Sequence, residues 1–168
     1  GIGGGIAMSE NILPLDGTRL TLRGNTALDH GGLSVSDADL VDISLEGNTA
    51  TSSRGSAQIT RSDVLRLFAE GNETGGSSES GLQFIDSNVQ DVLYSGNEGG
   101  YRGLVFDGNE TIARNIRVLD NSHQRAVALT RGATVLDIEV CDNNGWGMDI
   151  GTGGGTGQVL RNATVAFN

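Results

Sequence analysis

Seven asparagines, Asn25, Asn48, Asn72, Asn97, Asn121, Asn143 and Asn168, stand 23, 24, 25, 24, 22 and 25 residues apart. A marker returning at so constant an interval means that one short structural unit is repeated along the chain. A fixed period between twenty and fifty residues belongs to solenoids. Each coil of a solenoid packs only on its neighbours, so the chain grows as a rod instead of closing one spherical core.

Counting back from each marker gives the local structure. Positions three and five residues before it read Leu22/Leu20, Leu45/Ile43, Ala69/Leu67, Tyr94/Val92, Val118/Ile116, Val140/Ile138 and Val165/Ala163. The positions four and six before it are mostly polar, which is the period-two alternation of a strand with one buried face. A second apolar segment precedes each of these, as in Leu33-Ser34-Val35, Leu82-Gln83-Phe84 and Met148-Asp149-Ile150, often directly after a glycine. Coils of this length leave no room for a crossover helix, so like strands of successive coils stack in parallel, about 4.8 Å apart. The expected fold is all-β: a right-handed parallel β-helix of about seven coils of 22–25 residues, one domain spanning 1–168. The chain opens on Gly1-Ile2-Gly3-Gly4-Gly5 and stops on a marker Asn, with no atypical unit at either end. The expectation is therefore a fragment of a longer chain.

The composition suits thin, turn-rich coils: 27 of 168 residues are Gly, one is Pro, and the apolar share is 36%. A buried stack of asparagines satisfies its own donors and acceptors from coil to coil, as amide ladders do in cross-β structures. All seven markers are assigned to such an internal ladder, with Asn also tolerating a left-handed turn. The formal charge of −10, with Arg as the sole basic residue type, argues against nucleic acid as a partner. No apolar run is long enough to insert in a membrane. A single cysteine, Cys141, excludes a disulfide framework.

The run Leu22-Arg23-Gly24-Asn25-Thr26-Ala27, then Gly31-Gly32-Leu33, resembles the repeat of polymorphic outer-membrane proteins and related adhesin-like, pectin-lyase-like β-helices. Leu45-Glu46-Gly47-Asn48-Thr49-Ala50, then Gly55-Ser56-Ala57, is a weaker copy. The resemblance covers the whole chain as a period and about two coils as a motif. It implies surface display and adhesion, although the same fold also hosts pectin-degrading enzymes.

Outward rows hold few chemical candidates. The row six before the marker reads Arg19, Asp42, Arg66, Asp91, Asn115, Asp137, Asn162, alternating in charge over its first four rungs like a register-fixing ladder. The outward row of the preceding strand, from Ala7 through Ser34, Gln58, Gln83, Val105 and Ala128, ends on one carboxylate, Asp149. A glycosidase needs two carboxylates roughly 5–9 Å apart, and neither row stacks two acids. His30 and His123, about four rungs apart in turns, cannot share a metal. The loop Gly151-Thr152-Gly153-Gly154-Gly155-Thr156-Gly157 lacks the Lys of a phosphate cradle. No catalytic residue, metal ligand or cofactor is assigned.

Four residues remain as candidate contacts for a glycan or a partner chain: Phe68 and Leu93 on neighbouring rungs, Trp146 in a turn, and Asp149 near it. Sequons place candidate glycosylation at Asn109 and Asn162, whereas the sequon at Asn72 lies in the inward stack. The function expected is a noncatalytic extracellular or cell-surface module, a rigid scaffold contacting further parts of its own chain, neighbouring subunits or carbohydrate. The competing expectation is a carbohydrate-active enzyme of the pectate-lyase or epimerase type, or a carbohydrate-binding β-helix.

Overall fold

The computed structural model describes residues 6–8, 19–76, 80–151 and 157–168, and none of them is helical. The strands form three parallel sheets. The first has seven strands: Ile6–Met8, Leu33–Ser36, Ala57–Thr60, Ser80–Ile85, Arg102–Asp107, Arg125–Leu129 and Trp146–Ile150. The second also has seven: Leu20–Arg23, Asp39–Glu46, Asp63–Glu70, Asn88–Ser95, Ile112–Leu119, Thr134–Cys141 and Val159–Ala166. A third sheet of four short strands, Thr26–Asp29, Thr49–Arg54, Glu73–Thr74 and Glu98–Gly99, closes the first coils only. The chain is thus a parallel β-solenoid. It makes about six turns against the expected seven coils, because seven stacked rungs bound six intervals.

The registers follow the asparagine period, pairing Ile43 with Leu67, Val92 with Ile116, and Leu82 with Leu104. Within a coil, however, simple alternation holds only over short stretches. In the second coil the inward residues are Leu33, Val35, Ala38, Leu40, Ile43, Leu45 and Asn48, all buried. Their spacing is two, three, two, three, two, three. Each step of three contains one left-handed residue: Asp37 (φ 57°), Asp42 (φ 57°) and Gly47 (φ 58°). The next two coils repeat this with Arg61, Arg66 and Gly71, then Asp86, Asp91 and Gly96. The unit is therefore five residues, in-out-in-out followed by a left-handed residue that turns the chain and resets the inward face. A strand flips faces at every residue, so one residue of opposite hand is the smallest device that bends the wall without inverting it.

This corrects two expectations. The row from Asp42 to Asn162 is not an ordinary outward strand position: from Asp42 onward its residues have φ between 53° and 59°, and the sheet pairing skips them. The marker asparagines are not the left-handed residues either. That role falls to the residue before each one, Gly24, Gly47, Gly71, Gly96, Asp120, Asp142 and Phe167. Gly, Asp and Asn pay least for this conformation, which explains the Gly-Asn pairs of the first four coils.

The marker side chains run as one ladder. Each Nδ2 donates to the Oδ1 of the next: Asn25 to Asn48 (2.9 Å), Asn48 to Asn72 (3.0 Å), Asn72 to Asn97 (2.9 Å), Asn97 to Asn121 (3.0 Å), Asn121 to Asn143 (2.9 Å) and Asn143 to Asn168 (2.9 Å). Every receiving Oδ1 also accepts the backbone N–H of the preceding Asn, at 2.9 to 3.2 Å. From Asn48 onward each Nδ2 has a further acceptor in the coil behind, for instance Ala69 O for Asn97. A shorter hydroxyl ladder, unnoticed in the sequence, runs ten residues ahead of the markers. There Ser62, Ser87 and Thr111 accept the N–H of Ala38, Ser62 and Ser87.

Between the walls lies a continuous core, with Phe84 stacked on Phe106 at 5.7 Å between ring centres. Tyr94 is the one aromatic in its row and is fully buried. Its hydroxyl lies 2.9 Å from His123 Nε2 and 2.1 Å from where a Cβ on Gly81 would stand. Gly81 is thus fixed by its neighbour's size, not by backbone conformation. His123, expected in a turn, is buried. Its Nδ1 meets the carbonyl of Gly99, which can only accept. Nδ1 therefore carries the proton, and Nε2 accepts from Tyr94.

Candidate functional site

The outer surface holds three kinds of feature: ion-paired rows, a shallow groove on the second sheet, and a cleft where the third sheet ends. In the rows, register brings left-handed residues of neighbouring coils side by side. Arg61 holds Asp37 through two bonds (2.8 and 2.7 Å), and Arg66 holds Asp42 likewise (2.5 and 3.0 Å). Both carboxyls lie below the ordinary carboxylate range, chiefly because of the arginine hydrogen bond. Asn115 donates to Asp91 (2.6 Å), Asn162 to Asp137 (2.8 Å), and Arg117 to Glu139 (2.8 Å). Of the charge alternation expected over Arg19, Asp42, Arg66 and Asp91, one ion pair forms, Arg66 with Asp42, while Asp91 is held by Asn115. Exposed pairs of this sort fix register and contribute little stability.

Asp107 is the most enclosed of these acids. Arg131 clasps it with both nitrogens and Thr130 Oγ1 donates at 2.6 Å. Burial opposes its ionisation, yet the Arg131 and Thr130 hydrogen bonds outweigh this and hold the carboxyl below its ordinary range. A carboxylate so stabilised is a poor general acid near neutrality.

The expectation that acids do not stack holds for the rows considered in the sequence and fails elsewhere, Asp120 and Asp142 being one case, on successive rungs just before their markers. Asp39 pairs with Asp63, Glu46 with Glu70, and Glu73 with Glu98 on adjacent rungs. These rows lie just outside the segments where alternation was counted, so the sequence reading passed over them. The stacked acids are exposed or half-buried, and no group of three metal-ligating side chains occurs among the described residues.

Phe68 and Leu93 are register partners in the second sheet and half-buried. They form the apolar part of a shallow groove of about 420 Å³ along the left-handed row, bordered by Arg66, Asp91 and Arg117. The structure thus brings this predicted pair together and gives it a charged border.

The second predicted pair, Trp146 and Asp149, meets at the end of the third sheet. The segment between a marker Asn and the next first-sheet strand shrinks along the chain: 26–32, 49–56 and 73–79 give way to 98–101, 122–124 and 144–145. Seven or eight residues become four, three and two. The third sheet therefore stops at Glu98–Gly99, followed only by a single bridge to Ser122. The step left behind is a cleft of about 550 Å³ lined by Tyr101, Ser122, His123, Gln124, Arg125, Asn144 and Trp146, with Gly100 and Gly145. Trp146 is 68% exposed. The Arg125 guanidinium lies 4.4 Å from the Tyr101 ring centre and 5.4 Å from that of Trp146. It forms an ion pair with Asp149, and both side chains are only 15% exposed. Asp149 is therefore a partner of Arg125 and not a free surface acid. On the same outer face Val105 and Ala128 are buried, so this row is covered where it was expected to face solvent. Tyr101, Arg125 and the role of His123 were missed; the shortening of the linkers is the signal that points to them.

Asn109 is exposed, in a turn against Gly132, and Asn162 is exposed with its amide on Asp137. Asn72 is 1% exposed, as its place in the ladder requires. Most of the Gly-rich loop, 152–156, lies outside the described residues. Among the described residues no helix is long and apolar enough to cross a membrane. Comparison with profiles of known families, with curated proteins and with solved structures finds no match. The β-solenoid thus stands on the geometry, and the resemblance to adhesin-like repeats gains no family support.

Proposed function

We propose that the chain is a noncatalytic β-helix module of an extracellular or cell-surface protein, a rigid scaffold that presents contact sites to protein or glycan. The observation that carries this reading is the unbroken amide ladder. It links the rungs through buried, doubly accepting oxygens and fixes the spacing of every outward row. Two features supply contact surface on that frame: the groove at Phe68 and Leu93, and the cleft at Trp146. The acids beside bases support the reading too, since Asp37, Asp42, Asp107, Glu139 and Asp149 are all engaged with arginine. The adhesin-like resemblance of the first coils points to the same setting.

The stacked acids Asp39 and Asp63 favour a second reading, a carbohydrate-active enzyme, because register sets two carboxylates on adjacent rungs and glycoside hydrolysis uses a pair of them. Incubation with neutral and acidic polysaccharides, with and without calcium, separates the two. The scaffold reading expects no new reducing or unsaturated ends. Turnover abolished by Asp63→Asn or Asp149→Ala would establish the enzyme instead.

A further inference from the structure

We infer that the cleft at the end of the third sheet binds an uncharged sugar ring of a glycan, stacked on Trp146. The inference deepens the scaffold reading and rests on it for the noncatalytic character of the contact. The indole is 68% exposed on the last rung of the first sheet. The main-chain N–H of Trp146 donates to Gln124 O at 2.9 Å, and Gly145 approaches the coil behind so closely that a Cβ there would stand 2.1 Å from His123 O, so the backbone that carries the indole is fixed. Arg125 lies against the indole and supports it from the preceding rung. The C–H face of a pyranose is apolar and flat enough to cover such a surface, while its rim of hydroxyls seeks amide and hydroxyl partners. Ser122, Gln124 and Asn144 stand around the cleft and are exposed.

Charge selects among flat ligands. Arg125 is the cation of the cleft, and Asp149 neutralises it in the ion pair. Among the residues that line the cleft no unpaired cation remains for a carboxylate, sulfate or phosphate; Arg102, 5.6 Å from the Tyr101 ring centre, is not part of the lining, and the chain's net charge of −10 repels anions. A uronate or a nucleotide is therefore disfavoured, and a neutral hexose, pentose or N-acetylhexosamine unit fits. The cleft volume, about 550 Å³, accommodates a few sugar units and not a protein face.

Trp146 is the only tryptophan of the chain, so its emission reports on the cleft directly. The test is a titration with hexaoses of glucose, mannose, galactose, xylose and N-acetylglucosamine, and with hexagalacturonate. The expected result is a saturable emission change with at least one neutral hexaose, half-complete on the order of 0.1–1 mM. Hexagalacturonate should bind at least about tenfold more weakly, a difference of about 1.4 kcal/mol. Tyr101→Ala, which removes the ring on the other side of Arg125, should weaken the neutral ligand by about tenfold. Trp146→Ala, read by calorimetry, should abolish the binding heat while leaving the far-ultraviolet spectrum unchanged. The inference is overturned if no neutral hexaose gives saturation, if hexagalacturonate binds as well or better, or if Trp146→Ala retains binding. Each mixture is also assayed for new sugar ends. Cleavage would overturn the scaffold reading and leave the cleft, whereas silence in both assays removes the cleft and leaves the scaffold.

Discussion

Replacing Asn97 by Leu tests the ladder at its centre. Asn97 Oδ1 accepts from Asn72 N and Asn72 Nδ2, both at 2.9 Å. Its Nδ2 donates to Ala69 O (3.0 Å), Ser95 O (2.9 Å) and Asn121 Oδ1 (3.0 Å). Leucine removes all of these, leaving the main-chain N–H of Asn72 without its acceptor and Ala69 O without this donor, inside a stack 1% exposed. At about 1–3 kcal/mol for each buried group deprived of a partner, the loss is about 3–5 kcal/mol. For a chain of this size that corresponds to a melting shift of roughly 6–20 °C. Asn97→Asp keeps the shape and the acceptor but loses the donor and sets a carboxylate against carbonyl oxygens. Its folded pKa must rise above the ordinary value, so this variant is most stable below about pH 4 and loses stability as pH rises. Asn168→Leu, at the exposed end, should stay within about 1 kcal/mol of the parent. Thermal melting by circular dichroism measures all three, and hydrogen exchange should show protection lost around rungs 72–121 first. A parent-like melt for Asn97→Leu would refute the claim that the amides bear on one another.

Two further outcomes follow from the core. Burial lowers the His123 pKa to about 4, from an ordinary 6.5. The unfolded chain then binds the extra proton first, so stability is complete above pH 6.5 and falls by about 3 kcal/mol as pH drops towards 4. Denaturant titrations across that window should show this slope, and His123→Gln should remove its share. Gly81→Ala drives a methyl into the Tyr94 hydroxyl at 2.1 Å and should cost about 1–3 kcal/mol. Adding Tyr94→Val, which restores the residue size of neighbouring rungs, should recover most of it; a double-mutant cycle without coupling would mean the two do not meet.

The period of the asparagines was sufficient for the two seven-stranded sheets, because a residue that must stack on its own copy announces its spacing. The five-residue unit was harder to see. Its left-handed position is filled by Gly or Asp at Gly47, Asp37 and Asp42, where intrinsic preference gives a signal, but by Arg at Arg61, Arg66 and Arg131. Arginine has no special tolerance for positive φ, and a left-handed residue costs roughly 1–2 kcal/mol. Its presence is explained only by the neighbouring coil: Arg61 reaches Asp37 and Arg66 reaches Asp42, each in the same left-handed row. What reads in one coil as a misplaced charge is, across two coils, half of a pair that exists because the register is fixed.

The cleft follows the same logic in reverse. It is made by residues that are missing, since the linkers 98–101, 122–124 and 144–145 are too short to extend the third sheet. Trp146 was visible as a lone aromatic in a turn, but nothing local joins it to Tyr101 and Arg125, two coils and one coil away. A solenoid whose coils were all of equal section would present only repeating rows, each copy equivalent to the next. Shortening one side breaks that equivalence at a single height of the rod and exposes one aromatic wall there. Contact specificity on such a scaffold therefore has its natural place where the repeat is interrupted, and the regular coils that precede it serve to hold that place still.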